Sequence, residues 1–300
     1  MLSPMPSEDT LSLASGAARA AIAVRGAEPV AWSVAGMPLL WTAAPAWWAR
    51  TSPLLFPVVG WSRDGRVRVA GATYPMPVHG FASAADFAVV EQAVDRVRLE
   101  LRDGPATRRH YPFAFRLTVE WRLGPDCLSA DIRVGNAGDA PMPYAVGLHP
   151  GFAWPLAGAP REGHRVLFER PERARVPVIA PGGLFSARER PVALQDGRSL
   201  PLDDALFAAD ALCFLDVASR RVRFENGRGQ AITVAGEDFP HLALWSRPGA
   251  PFLSVESWTG HGDPEGFAGE LAERPSMRLL AGGGAVHHRL SWCWEDRSVP

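Results

Sequence analysis

Four short segments each place one titratable residue inside an apolar stretch bounded by glycine or proline. They hold His79 (VHGFASAADF), His149 (GLHPGF), Asp210 (FAADALCF) and Glu256 (FLSVESWTGHGD). A buried polar group is costly unless it is hydrogen-bonded, so a structural role would explain any one of them taken singly. Two histidines and two carboxylates together indicate a site for proton transfer near neutral pH, because perturbed acids and bases gather in clefts.

Tryptophans near the last of these residues suggest the kind of ligand. Trp245 and Trp258 lie close to Glu256 in a sequence that has 11 tryptophans. If VESW is a strand, Glu256 and Trp258 share one face and Val255 points to the other. An indole beside a carboxylate suits a sugar, which packs its C–H face on the ring and bonds its hydroxyls to polar groups. The alternative is that these tryptophans fill the core.

Other chemistries lack their motifs. The sequence has no HExxH or CxxC pair for zinc, no GxSxG elbow, and neither a P-loop nor GxGxxG. His287 and His288 are adjacent in an apparent strand, so they should point to opposite faces. The segment HGDPEG, His261 to Gly266, reads as a turn and not as a metal site. We therefore predict no metal and no nucleotide.

The elements that must position these residues are strands. In FRLTVEWRL, Phe115, Leu117, Val119, Trp121 and Leu123 fall on one face. CLSADIRVGNAG continues as a return strand after the turn at 124–126.

Further strand pairs follow from the same alternation. They are predicted in Asp86–Gly104 and in the hairpin Arg221–Gly236, which turns at Asn226-Gly227. Turn residues recur about every eight to twelve positions, which is typical of a sandwich or barrel. The best helical period is short, in ALFAADALCF, and residues 157–196 read as a long excursion with short strands. We expect one all-β domain over 1–300 built from large antiparallel sheets, with 1–15 as a candidate disordered segment.

Composition limits the partners. The chain of 300 residues is 47% hydrophobic, with a formal net charge of -1 and a pI of about 6.7. It therefore has no basic footprint for nucleic acid or for an anionic membrane surface. Residues 31–49 are uncharged, but Gly36, Pro38 and Pro45 interrupt them. Two short strands about an Ala35-Gly36 turn are expected there, and not a membrane helix.

The cysteines indicate a compartment. Cys127, Cys213 and Cys293 are odd in number and lack a CxxC pair. A disulfide framework is therefore not expected, and a reducing cytoplasm fits better. The acidic N-terminus, without a basic region, argues against a signal peptide.

Several segments, in order, resemble the aldose 1-epimerase (galactose mutarotase) family, and more closely its bacterial branch with LFP and HGFA segments. The resemblance runs from about Gly26 to Gly260, and the segments are GAEPVAWSVAGMPLLW, SPLLFPVVG, HGFA, YPFAFRL, GLHPGF, DAL and VESWTG. It implies a galactose mutarotase-like β-supersandwich with the site in a cleft on one sheet.

The resemblance also implies roles. Glu256 matches the general base that takes the proton from the C1 hydroxyl, and His149 matches the general acid that protonates the ring oxygen. His79 and Asp210 match residues that hold the sugar hydroxyls and support the acid. A carboxylate and an imidazolium suffice for ring opening, so no cofactor is expected. Trp245 and Phe81 complete the predicted substrate-binding set.

This chain departs from the family pattern at two positions. Ser83 follows HGFA where arginine is common, which puts an arginine contact with the substrate in doubt. Ser257 stands where proline is common in VESWTG, which affects loop rigidity more than chemistry.

Three alternatives to an epimerase of neutral monosaccharides stay open. They are a hexose-6-phosphate 1-epimerase, a non-catalytic carbohydrate-binding protein on the same fold, and a glycosidase that uses Asp210 and Glu256. The sugar, the oligomeric state and the pathway are not predicted.

Overall fold

Alternating apolar residues and frequent turns make this chain almost entirely β. The computed structural model describes residues 9–298. Its strands are β1 (Thr10–Ser15), β2 (Ala18–Ala23), β3 (Glu28–Val34), β4 (Met37–Pro38), β5 (Leu54–Leu55), β6 (Arg66–Val69), β7 (Ala72–Pro75), β8 (Ala88–Gln92), β9 (Arg96–Arg102), β10 (Phe115–Leu123), β11 (Cys127–Asn136), β12 (Met142–Tyr144), β13 (Gly147–Leu148), β14 (Gly151–Ala153), β15 (Arg165–Phe168), β16 (Arg175–Ala180), β17 (Leu184–Pro191), β18 (Ser199–Pro201), β19 (Leu212–Phe214), β20 (Arg221–Glu225), β21 (Gln230–Glu237), β22 (His241–Trp245), β23 (Phe252–Trp258), β24 (Arg278–Leu280) and β25 (Ala285–Asp296).

Helical structure within residues 9–298 is confined to short turns. One four-residue α-helix, α1, spans Pro105–Arg108, and 3₁₀ turns lie at Arg63–Gly65, Ala82–Ala84, Leu156–Gly158, Asp204–Phe207 and Leu271–Glu273. The described residues contain no helix with the length and apolar character of a membrane span.

Two antiparallel sheets dominate the described part of the chain. A nine-stranded sheet has the order β18-β15-β20-β21-β25-β11-β10-β9-β8. A six-stranded sheet has the order β19-β22-β23-β13-β5, with β14 also paired to β23. A four-stranded sheet joins β1 to β4 in order, and three two-stranded sheets pair β12 with β24, β16 with β17, and β6 with β7. This architecture confirms the predicted all-β class built from large antiparallel sheets.

One hydrophobic core connects the larger sheets. It includes Leu117 of β10, Val255 of β23 and Trp32 of β3. The Trp292 ring of β25 contacts Phe152 of β14 with ring centroids 5.6 Å apart. Burial on β10 alternates over all nine residues, which confirms the inward face predicted for this strand. The core therefore holds the six-stranded sheet in a fixed place relative to the nine-stranded sheet.

The predicted strand pairs form, whereas the predicted helical segment does not. The strand pairs β8–β9, β10–β11 and β20–β21 form as predicted, as does the turn between β3 and β4 at Ala35 and Gly36. The helical reading of ALFAADALCF is wrong. Only a 3₁₀ turn forms at Asp204–Phe207, because Asp210 adopts a φ of 72° and Leu212–Phe214 pair with β22. Of the candidate disordered segment, residues 1–8 lie outside the described part, and Thr10–Ser15 form β1.

The cysteine expectation needs correction. Cys127 and Cys293 lie opposite each other on β11 and β25 and form a disulfide across 166 residues of sequence. Only the sheet register brings them together, so spacing along the chain could not reveal the pair. Cys213 is free and buried. The cysteine argument for a reducing compartment no longer holds, and the cytoplasmic location stays a prediction.

Candidate active site

A cleft of about 700 Å³ opens beside the six-stranded sheet. Strands β5, β19, β22 and β23 each contribute at least one lining residue. Five of the six predicted site residues line it: Glu256, His149, His79, Asp210 and Trp245. The sequence segments that carry them are more than 170 residues apart at the extremes, and the sheet brings them to one place.

Glu256 lies on a strand that is buried along its whole length. Every residue of β23 is buried, and alternation sends Leu253 and Val255 into the main core. Glu256 and Trp258 face the cleft instead, and the Trp258 indole Nε1–H donates to Glu256 Oε2 at 3.0 Å. The predicted shared face of these two residues is confirmed. Burial raises the pKa of Glu256 well above its usual value, although the bond from Trp258 opposes that shift.

His149 follows the short strand β13 and is held on several sides. Its backbone N–H donates to Pro53 O at 3.1 Å, and its ring stacks on Trp48 with centroids 4.7 Å apart. The Trp245 ring meets it edge-on at 5.6 Å. Burial, and then the nearby His79, lower the pKa of His149 well below its usual value.

The two proposed proton-transfer groups are in direct contact. His149 Nε2 lies 3.2 Å from Glu256 Oε1, and both side chains are nearly inaccessible to water. Burial disfavours the charged form of each group. One titratable proton is shared between them, and it can be on Glu256 (carboxyl and neutral imidazole) or on His149 (carboxylate and imidazolium). The contact is therefore a pair that carries one proton in either arrangement.

His79 presents a hydrogen-bond donor. The backbone N–H of Gly60 donates to His79 Nδ1 at 3.1 Å, so in the neutral ring the proton is on Nε2. Burial, and then the charge of Arg274, lower the pKa of His79 to about 4. This histidine is thus neutral at physiological pH, and its Nε2–H is suited to donating to a sugar hydroxyl group.

Its conformation depends on the next residue. His79 has a φ of 63° and Gly80 a φ of 77°. A Cβ on Gly80 would lie 2.1 Å from Phe56 O. Glycine is thus required where the chain crosses behind β5, and this crossing aims His79 at the cleft.

The remaining predicted contacts separate into two groups. Asp210 is exposed at the rim of the cleft, where its Oδ1 accepts from the Ala211 N–H at 2.7 Å. Trp245 forms part of a wall. Phe81 does not line the cleft, because its ring packs in the core against Phe56 and Tyr111. The phenylalanine of HGFA supports the loop from behind and is not placed to contact a ligand.

Arg50 is a cleft residue that the sequence reading missed. It donates to Glu28 Oε2 at 2.6 Å and to the carbonyl of Ser83 at 2.8 Å. An arginine therefore stands beside the very position where the family pattern has arginine and this chain has serine. Its sequence signal is weak, since Arg50 lies two positions before the SPLLFP segment and its partner Glu28 is 22 positions away.

Trp48 was also missed. It lies in an irregular stretch before β5, and its ring contacts His149, Trp245 and Phe252. Tryptophan-rich apolar sequence reads as core, and only the tertiary contacts show that this indole covers the imidazole.

Comparisons with known proteins identify the family of this chain. The family model described as aldose 1-epimerase matches residues 9–261. The plasmid-encoded protein LacX of Lactococcus lactis subsp. lactis is 30% identical over 235 residues, which is 75% of this chain and 79% of LacX.

Solved structures show the same fold. A galactose mutarotase related enzyme from Lactobacillus acidophilus superposes with a TM-score of 0.88 at 26% identity and covers 97% of this chain and 99% of its own. A galactose mutarotase-like protein from Lactobacillus casei also gives a TM-score of 0.88 at 26% identity, with 95% and 99% covered. Together with the family match, these similarities show that this chain belongs to the aldose 1-epimerase family.

Proposed function

We propose that the protein interconverts the α and β anomers of a monosaccharide by opening and closing the hemiacetal ring. The observation that carries this proposal is the contact between His149 Nε2 and Glu256 Oε1, 3.2 Å apart in a cleft with tryptophan walls. Ring opening needs one proton removed at O1 and one delivered at O5, and this pair supplies both groups without a cofactor.

In the forward step, the Glu256 carboxylate takes the proton from the C1 hydroxyl. The C1–O5 bond breaks as the His149 imidazolium gives its Nε2 proton to O5, which leaves a C1 carbonyl and a C5 hydroxyl. Rotation about C1–C2 presents the other carbonyl face, and the same proton transfers in reverse close the ring. The pair holds one proton before and after opening, so the site needs no proton from solvent.

Burial assists this direction of transfer. The raised pKa of Glu256 makes it a stronger base, and the lowered pKa of His149 makes its protonated form a stronger acid. Ring opening converts a buried ion pair into a buried neutral pair, and that is the form that desolvation favours. Sugar hydroxyls that hydrogen-bond to Glu256 would in turn stabilise the carboxylate needed at the start.

A neutral aldose suits the charges of the cleft better than a hexose phosphate. Glu256 and Asp210 both line it, and the positive charge of Arg50 is already paired with the buried Glu28. Arg247 on the rim is exposed. The Glu256–His149 pair carries no net charge, so a phosphate dianion would meet the Asp210 carboxylate, an Arg50 that is already bonded, and the exposed Arg247. Phosphate sites in proteins normally offer unpaired arginine forks, and a single exposed arginine opposed by a carboxylate falls short of that.

The test is polarimetry on freshly dissolved α-glucose and α-galactose, with Glu256→Gln as the matched variant. The wild type should speed the optical rotation change over the buffer rate. The amide variant keeps the shape but loses the base, so its rate should fall about 10²–10⁴-fold. Near-normal turnover by a folded Glu256→Gln protein would remove Glu256 from this role.

The same assay separates the alternatives. Glucose 6-phosphate should give a lower kcat/KM than glucose, and a phosphate preference that weakens with salt would favour the hexose-6-phosphate reading. Release of nitrophenol from a nitrophenyl glycoside would indicate a glycosidase. Sugar binding without any rate effect would indicate a binding protein.

A further inference from the structure

Ser254 lies directly behind His149 and does not line the cleft. It is fully buried on β23, two residues before Glu256. Its Oγ is 2.8 Å from His149 Nδ1 and 2.8 Å from the carbonyl oxygen of Pro150. The hydroxyl therefore touches the imidazole on the side opposite to the proposed chemistry.

The two contacts together determine where the protons are. A carbonyl oxygen only accepts, so the single Ser254 hydroxyl proton must point to Pro150 O. The bond to the ring then exists only if His149 Nδ1 carries a proton and donates to Ser254 Oγ. If the hydroxyl donated to the ring instead, two oxygen lone pairs would face each other across 2.8 Å.

We propose that Ser254 is the positioning residue that keeps His149 protonated at Nδ1, so that Nε2 is the nitrogen that exchanges a proton with Glu256 and the sugar. This inference rests on the proposed epimerase function for its kinetic consequences. Its structural content, the protonation state of Nδ1, stands apart from any activity.

The same bond supports the charged form of the acid. An imidazolium has two N–H donors, and in a buried site each needs an acceptor. Glu256 Oε1 faces Nε2 and Ser254 Oγ faces Nδ1, so both donors are satisfied. Without Ser254, the imidazolium loses one charge-assisted bond while the neutral ring loses less.

The kinetic test replaces Ser254 by alanine. We expect kcat to fall about 10- to 100-fold, which corresponds to about 1.4–2.8 kcal/mol. KM should stay within about twofold, because Ser254 does not reach the ligand. The weaker hold of His149 on its proton should also move the pH optimum of kcat down by about half to one unit, since the optimum is the mean of the pair's two apparent pKa values.

The other titratable groups near His149 stay unchanged in this variant. His79 and Glu256 face the ring directly, and Asp210, Cys213, Arg50 and Arg247 line the same cleft. Ser257→Ala is the matched control, since Ser257 is buried on the same strand but points to the other face. It should keep both kcat and the pH optimum.

A rescue variant separates positioning from packing. Ser254→Thr keeps the hydroxyl but adds a methyl group to a fully packed position, which should lower stability. If Ser254 acts through its hydroxyl, the threonine protein should regain the wild-type pH optimum despite lower stability. Loss of stability in the alanine variant with an unmoved pH optimum would overturn the proposal.

A direct measurement does not depend on turnover. Long-range ¹H–¹⁵N correlation spectra of the unliganded protein distinguish protonated from unprotonated ring nitrogens, and His149→Asn identifies the signals among the eight histidines. We expect the signal of a protonated Nδ1 in the wild type. In Ser254→Ala this signal should disappear, or broaden because the proton exchanges. An unprotonated Nδ1 in the wild type would refute the proposal even if mutarotation is confirmed. A protonated Nδ1 without mutarotation would refute only the proposed function.

Discussion

At the scale of single residues, the two histidines of the cleft are built for different tasks. His149 contacts Glu256 through Nε2, whereas His79 accepts from Gly60 and is left with a neutral N–H donor. The sequence shows that both residues are histidines, but their different tasks depend on which neighbouring group contacts which ring nitrogen.

This difference predicts separable kinetic effects. His149→Asn removes the acid and should mainly lower kcat. His79→Asn removes a hydroxyl contact and should raise KM as well. Polarimetric kcat and KM on the same sugar are the measurement, with thermal unfolding to confirm that each variant is folded. Equal and mild effects from both substitutions would mean that these histidines only fill space.

At the scale of elements, the crossing of the His79 loop behind β5 determines where the imidazole points. Both Gly80 and Gly71 have left-handed backbone, with φ of 77° and 76°. A Cβ on Gly80 would overlap Phe56 O at 2.1 Å, whereas nothing lies within 4 Å of one on Gly71. The two glycines thus share a backbone conformation but differ in the space around them.

The pair makes a matched test of this crossing. Gly71→Ala should cost about 1–2 kcal/mol, the usual penalty for a side chain in left-handed backbone. Gly80→Ala should cost about 1–3 kcal/mol more and raise KM, because the loop must move away from Phe56. Urea unfolding gives the free energies. Similar losses for both variants would show that the crossing can relax.

Element prediction succeeded where the signal was local. Strand β10 alternates because a half-buried strand must, and its period of two is readable without any partner. The prediction failed for the segment around Asp210, whose apolar spacing fits a helix. In the structure, Leu212–Phe214 form backbone hydrogen bonds with β22 instead. Tertiary pairing overrides a weak helical period.

At the scale of the whole molecule, buried histidines should make the fold sensitive to acid. Burial lowers the pKa of His241 and of His288 to about 4, and both side chains are almost completely inaccessible. The unfolded chain binds these protons near pH 6.5, so between pH 6.5 and 4 it holds more protons than the folded state. Their contribution to stability is present above pH 6.5 and is lost as pH falls.

We expect the free energy of unfolding to drop by about 1.4 kcal/mol per pH unit for each such histidine within that window. The Glu256–His149 pair adds little slope, since it holds one proton when folded and about one when unfolded between pH 4.5 and 6.5. Urea unfolding at pH 7, 6 and 5 measures the slope, and His288→Gln should reduce it by one histidine's share. A slope that is flat in the wild type would contradict this account.

The sequence by itself determined the all-β class, most strand positions and the four titratable segments, because alternation and turn chemistry act over a few residues. The ordered segments also sufficed to identify the family. Five of the six predicted site residues line one cleft, although their roles stay a proposal.

Only the tertiary structure decided which groups meet. The contact of Arg50 with Ser83 and Glu28, the Ser254 bond behind His149, and the Cys127–Cys293 pair all join residues at least 22 positions apart. The tertiary structure also decided that Phe81, predicted to contact the ligand, packs in the core instead. Such contacts depend on strand register and on how one sheet packs on another, and a one-residue change of register would reverse every side chain without altering the local pattern.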